Sequence, residues 1–262
     1  MSNALIEKKL SRLKPISLGE MEKVRLMNRV DTKYITLQED LDLFLSRIKD
    51  DYDIQEVDGR RIQTYQTLYF DTPDLEMFIN HHNGHRQKEK IRIRNYSGSN
   101  LSFLEIKDKN NKGQTRKIRL RLAEYKMGDD ENTLLFLEAN AQFTADRIAP
   151  HLETCYDRIT LVNKEKTERL TIDINLEFDN QRTGNRHSLP GMVIIELKQE
   201  VSSFSRTHIL LASLHIHPVK VSKYCIGSVM TDPGIKYNRF KPKISRINKL
   251  IQSHHGTIRQ PA

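Results

Sequence analysis

The 262 residues include only two cysteines, Cys155 and Cys225, far apart and without a redox spacing. That excludes dithiol chemistry and reads as two reduced, inert thiols. No stretch approaches the roughly 20 apolar residues of a membrane span. The opening MSNALIEKKLSRLKP lacks the apolar core of a secretory leader. A soluble, cytoplasmic protein is the expectation from these absences. A GxxxxGK[ST] loop and a GxGxxG turn are both missing, which leaves the standard nucleotide-binding folds without support. Acidic residues are the scarcer charge, 34 against 43 lysines and arginines. The resulting net charge of +9 points to an anionic partner: nucleic acid, polyphosphate, nucleotide or an acidic membrane surface.

That positive charge is patterned. Between Lys88 and Leu122 three runs alternate strictly. Lys88, Lys90, Arg92 and Arg94 oppose Ile91 and Ile93. Glu105 and Lys107 oppose Leu104 and Ile106. Lys117, Arg119 and Arg121 oppose Ile118, Leu120 and Leu122. Successive strand residues point to opposite faces, so each run is a strand with one apolar and one mostly cationic face. Short turns at 97–100 and 110–113 make the three a meander. Like charges on neighbouring strands repel, so an anion is expected among them.

Five further strands follow from alternation: Arg29 to Ile35, Ile62 to Asp71, Thr154 to Val162, Glu168 to Phe178 and Met192 to Gln199. Thr36 and Glu39 have the spacing of a capping box, opening a helix to about Lys49. Other helices are expected at Leu18 to Asn28, Asp74 to His82, Ser203 to Leu214 and Val221 to Met230. Glu124 to Leu152 reads as a helical insertion outside the sheet, with Ile148 and Leu152 marking a second short helix. The expected organisation is a helical segment over 1–28, a main domain over 29–235, and a basic, aperiodic, weakly ordered tail over 236–262.

Eight strands with short links can close into an antiparallel barrel. The expected fold is therefore α+β: an eight-stranded antiparallel β-barrel around a hydrated cationic tunnel, apolar faces outward under helices. An open sheet with one solvated charged face is the alternative. Arginine forks bind phosphate oxygens in pairs and lysine supplies point charge. Phosphoryl transfer asks for alignment, charge neutralisation and usually a divalent metal. Sparse carboxylates among many cations suit one or two hard ions bridging phosphates. Nucleic acid fits less well, because single-strand binding interleaves aromatics with basic residues and these basic runs carry few; no specific nucleic acid is expected.

The ordered set RVDTKY, LYFDT, KIRIRNY, FLEIKDK, YDRITL, ERLTIDINL, VIIELK and KVSKY resembles the catalytic domain of the vacuolar transporter chaperone (VTC) complex. That domain is a polyphosphate polymerase among the CYTH-like triphosphate tunnel metalloenzymes. The resemblance runs from about Arg29 to Tyr224. It implies a phosphotransferase that adds the γ-phosphate of ATP to inorganic polyphosphate with Mn²⁺ or Mg²⁺. By the same resemblance, Lys33, Arg92, Arg94, Lys107 and Arg158 are catalytic. Lys90, Lys117, Arg119, Arg169, Lys198, Lys220 and Lys223 bind substrate. Glu196 holds the metal, with Glu105 as a second ligand or, equally, an ion-pair partner of a neighbouring arginine. The strand Arg29-Val30-Asp31-Thr32-Lys33 departs from the ExExK opening of the tunnel phosphatases, which argues against hydrolysis. The inositol-phosphate-sensing domain and membrane helices of eukaryotic members are not seen in this sequence, so a stand-alone form is expected, compatible with a membrane protein that takes the polymer. Oligomeric state stays open. Two other activities remain: a tripolyphosphatase or nucleoside triphosphatase of the same fold, and a non-catalytic polyphosphate or RNA binder. His81, His82 and His85 read as solvated loop residues, and Asp71 as either a cavity residue or the start of a turn.

Overall fold

The computed structural model describes residues 3–22, 29–200 and 204–257. The strands in chain order are β1 (Lys14–Ser17), β2 (Arg29–Leu37), β3 (Tyr52–Glu56), β4 (Gln63–Asp71), β5 (Lys88–Tyr96), β6 (Leu101–Lys109), β7 (Thr115–Leu122), β8 (Ala149–Asn163), β9 (Glu168–Asn180), β10 (Arg186–Leu189) and β11 (Met192–Glu200). The helices are α1 (Asn3–Leu10), α2 (Leu18–Glu22), α3 (Gln38–Ile48), α4 (Glu76–Asn83), α5 (Glu131–Asn140), α6 (Arg206–Ser213), α7 (Lys223–Thr231) and α8 (Lys241–Thr257). The main strand path runs β2-β11-β9-β8-β4-β5-β6-β7, antiparallel throughout.

Two parts of the sequence reading are corrected here. The sheet has eleven strands, with β1, β3 and β10 added at the flanks. It is also open: among the described residues no ladder joins β2 to β7, so the expected closed eight-stranded barrel is not formed. Strand β1 is parallel to β3, and both are short segments without a charged stripe. Residues 23–28 and 201–203, where two helices were expected to continue or begin, lie outside the described residues.

The apolar parity packs outward under helices, as the alternation requires. Ile91, Ile93, Leu104 and Ile106 are fully buried with Leu137 of α5 and with Phe143 and Ile148. Leu170, Ile172, Ile195 and Leu197 are buried with Leu41, Phe44 and Ile48 of α3 and with Ile6 and Leu10 of α1. The capping box is not made: α3 is preceded by Leu37 without a side-chain cap, and the Thr36 hydroxyl donates to the Asp40 carboxylate instead. Ala149 to Leu152 belongs to β8 rather than to a helix. The segment from Lys241 is a helix too, not an aperiodic tail. Ile244, Ile247, Leu250 and Ile251 recur at helical spacing and pack on the second core cluster.

Helix α7 lies against β8 and β9 with no room at Gly227. A Cβ there would sit 2.5 Å from Phe178 and 2.7 Å from Leu152. Gly227→Ala is expected to cost about 1–3 kcal/mol through overpacking. Thermal denaturation reads this directly, and an unchanged melting temperature would show that the helix can shift freely.

Candidate functional site

The opposite parity lines one cavity of about 580 Å³. Residues of both edge strands, Lys33 of β2 and Lys117 of β7, reach it, so the open sheet curls around a common space. Eleven of the lysines and arginines named from sequence line it: Lys33, Lys90, Arg92, Arg94, Lys107, Lys117, Arg119, Arg158, Arg169, Lys198 and Lys223. Only two carboxylates, Asp31 and Glu196, join them among the described lining residues. Lys220 is the exception. It is exposed and outside the lining, whereas Lys223, the first residue of α7, reaches the cavity.

Cross-strand register orders one wall into rows. Lys117, Lys107 and Lys90 align across β7, β6 and β5. The next row is Arg119, Glu105, Arg92 and Tyr69. Glu105 is fully buried and surrounded by cations: Arg92 Nε and Nη2 lie 2.9 and 2.8 Å from its Oε2, Lys117 Nζ 2.5 Å from its Oε1, and Arg94 Nη1 3.8 Å away. Burial pushes its pKa up, but Arg92, Arg94 and Lys117 outweigh that and hold it at about 2. Of its two sequence readings, the geometry realises the ion-pair centre. Arg92 Nη1 also donates to the Tyr69 hydroxyl at 3.2 Å.

The facing wall is built from β2, β11, β9 and β8. Arg158 grips the Asp173 carboxylate twice, Nε to Oδ1 at 2.6 Å and Nη2 to Oδ2 at 2.8 Å. Lys223 donates to the same Oδ2. Glu196 pairs with Lys198 on its own strand and lies 3.9 Å from Lys33 of β2. Lys198 also lies 3.4 Å from Asp31. Burial would raise the Glu196 pKa, yet Lys33 and Lys198 hold it well below the usual carboxylate range.

No group of three or more His, Cys, Asp or Glu side chains converges on a metal position among the described residues. Glu105 is enclosed by cations, whereas Glu196 and Asp31 reach the cavity. This donor set fits a hard cation held by one or two carboxylates together with substrate phosphates, as Mg²⁺ commonly is, and not an all-protein cage.

The lysine row titrates unusually low. Lys90, Lys107 and Lys117 are each lowered to about 8, first by desolvation. Neighbouring cations add to it, Lys33 and Arg92 beside Lys90 and Lys107, Arg94 and Arg92 beside Lys117. Lys90 is the most enclosed, with its ammonium 3.0 Å from the Ser222 hydroxyl; Lys107 and Lys117 are more exposed. Below pH 8 all three are charged. As pH rises past 8 the free protein sheds these protons, a bound polyanion retains them, and binding must then take up protons. The loss of lysine charge is therefore expected to weaken tripolyphosphate binding between pH 8 and 9.5, with protons taken up on binding. Titration calorimetry in buffers of different ionisation heat measures both the fall and the proton uptake; a flat affinity to pH 9.5 would contradict the assignment.

Several residues escaped the sequence reading. Asp173 was on the charged parity but had no assigned partner, and the rings of Tyr65, Tyr96, Phe103 and Tyr156 also line the cavity. Tyr96 is two residues from Arg94 and Phe103 two from Glu105, so parity alone marks them. Asp71, by contrast, accepts from the amides of Thr72, Met77 and Phe78 and starts the turn into α4. Two of the loop histidines are not solvated. His82 is buried between Phe78 and Phe240, and desolvation lowers the His81 pKa to about 2.

Several solved structures are similar to this chain at low identity. An adenylate cyclase candidate from Vibrio parahaemolyticus is 12% identical with a TM-score of 0.45, over 77% of this chain and 99% of its own. One from Bacillus halodurans is 14% identical with a TM-score of 0.43, over 75% and 96%. A Hippeastrum protein of the same description, reported with a dominant triphosphatase activity, is 11% identical with a TM-score of 0.44, over 78% and 97%. Among curated proteins there is no match. The model of the VTC domain family matches residues 28–231, most of the sequence and all eight strands of the main path, and the chain belongs to that family.

Proposed function

We propose that this cavity is the active site of a metal-dependent polyphosphate polymerase, which transfers the γ-phosphate of ATP to the end of an inorganic polyphosphate chain. The observation that carries the reading is eleven cations facing two carboxylates in one cavity. A chain of phosphates fills such a space; a neutral or cationic substrate does not. The curled sheet then serves as a tunnel for the chain, although its edges are not hydrogen-bonded.

In the transfer, a terminal phosphate oxygen of the chain forms a bond to the γ-phosphorus. The bond from that phosphorus to the β,γ-bridging oxygen breaks, and ADP leaves with the electron pair. Arg92, Arg94 and Lys107 neutralise charge on one wall, Lys33 and Arg158 on the other, while the remaining basic residues hold the chain in line. Glu196, with Asp31 beside it, holds Mn²⁺ or Mg²⁺ on the phosphates. A divalent ion held there would supply Lewis-acid charge neutralisation to the phosphoryl group in transfer.

Polymer growth from ATP and Mn²⁺, followed on gels, tests this. Arg92→Ala is expected to slow growth by about 10²–10³, the loss typical of one preorganised donor, and Glu196→Gln to remove the response to metal. Full synthesis by both variants would refute these roles. Phosphate release without chain growth would make the protein a hydrolase, and steeply salt-dependent binding without turnover a binding module.

A further inference from the structure

We propose that the aromatic end of the cavity is a shelf for the nucleobase, so that the cavity accepts its nucleotide in one direction. This rests on the polymerase reading of the same cavity. The inward positions of β5 read Lys90, Arg92, Arg94 and Tyr96. Over those six residue steps, about 20 Å of strand, the wall passes from ammonium to guanidinium to aromatic ring.

The ring end is a built feature. Register places Leu101, Tyr96, Tyr65 and Tyr156 in one row across β6, β5, β4 and β8. Tyr65 and Tyr96 meet edge to face with centroids 4.9 Å apart at 62°, and Phe103 meets Tyr96 at 6.0 Å and 86°. Tyr65, Tyr96 and Phe103 are half-buried and line the cavity, so part of each ring is open to it.

A chain of inorganic phosphate gains nothing from such a row. The face of an aromatic ring carries negative quadrupole charge and repels phosphate oxygens. A nucleobase stacks on it whatever its identity, since every base has a π-face. The guanidiniums mark the junction: Arg119 sits 4.8 Å over Phe103 and Arg94 5.6 Å over Tyr65. A nucleotide with its base stacked on one of Tyr96 and Phe103, whose planes cross at 86°, and edge-on to the other would lay its triphosphate along Arg94 and Arg92, pointing its γ-phosphate at the row of lysines.

Two ligands separate the base from the phosphates. ATP and tripolyphosphate affinities are measured by calorimetry with divalent metal chelated, so that no turnover occurs, for the parent protein and for Tyr96→Leu and Phe103→Leu. Leucine keeps the bulk and removes the π-face. Both variants are expected to bind ATP about 10-fold more weakly and tripolyphosphate as the parent does. Equal weakening for both ligands, or ATP binding unchanged, overturns the shelf. A parent protein that binds tripolyphosphate but not ATP also overturns it while leaving the phosphate cavity in place. Binding of neither ligand by the parent, with tripolyphosphate also tested in Mn²⁺, defeats the polymerase reading itself.

Discussion

Glu105→Gln is expected to destabilise the free protein by about 3–5 kcal/mol and yet to tighten its grip on tripolyphosphate. The carboxylate is fully buried and pairs with Arg92, Arg94 and Lys117. Amide in its place leaves three cations close together without an anion. Their repulsion opposes folding but favours any polyanion that replaces the lost charge. Denaturant unfolding with and without tripolyphosphate reads both effects: the deficit appears without ligand and shrinks as ligand is added. A variant as stable as the parent, or a deficit that tripolyphosphate leaves untouched, would count against this role. The acid limb gives a second readout. The folded pKa is depressed to about 2 against an ordinary 4.5. The contribution is therefore complete above pH 4.5 and is lost as pH falls toward 2. The glutamine variant lacks that part of the pH dependence.

Much of this fold could be read before any coordinates, because charge and apolarity alternate so cleanly. Glu168 to Phe178 and Lys88 to Leu122 each announce strands by parity, and every one of those strands forms. Lys14–Ser17 and Arg186–Leu189 did not show because four residues carry too little alternation to register. Ile148 and Leu152, four apart, fit a helix stripe as well as a strand crossing a bulge. The register shift between Tyr69 and Phe70 shows that the bulge is what occurs. In α8 the basic residues hid an apolar repeat of three and four at Ile244, Ile247 and Ile251.

The site divides along a different line. Which residues face the cavity is a matter of parity, and parity is in the sequence: Lys90, Arg92 and Arg94 follow from β5 alone. Which residues meet across it depends on register and on the curl of the sheet. Glu105 lies thirteen positions from Arg92 and twelve from Lys117, and only the pairing of β5, β6 and β7 makes it the centre of a cation cluster. Closure was also a matter of pairing. Charge faces alone fitted either a closed tunnel or an open sheet with one charged face; the structure has a shared cavity with no ladder between β2 and β7 among the described residues.

Under the proposed function, Arg158 is where stability and phosphate binding are hardest to separate, and a second substitution separates them. Arg158→Met is expected to cost about 3–5 kcal/mol, because Asp173 is 1% exposed and keeps, among the described residues, Lys223 alone as an ion-pair partner. Loss of activity in that variant alone would say little. The pair Arg158→Met with Asp173→Asn removes both charges of the bidentate contact, leaves Lys223 facing the cavity, and is expected to recover part of the stability. Synthesis should not return with it. Asp173 engages Nε and Nη2 of the guanidinium and leaves Nη1 unused, while Tyr65 and Tyr156 hold the plane from 4.9 and 5.3 Å. That is a donor aimed and held in advance, whose loss costs about 10²–10³ in rate. Unfolding curves and polymer growth measured on the same preparations decide it. If the double variant regains both stability and synthesis, Arg158 serves only to neutralise Asp173, and the facing wall must grip phosphate through Lys33, Arg169 and Lys198 instead.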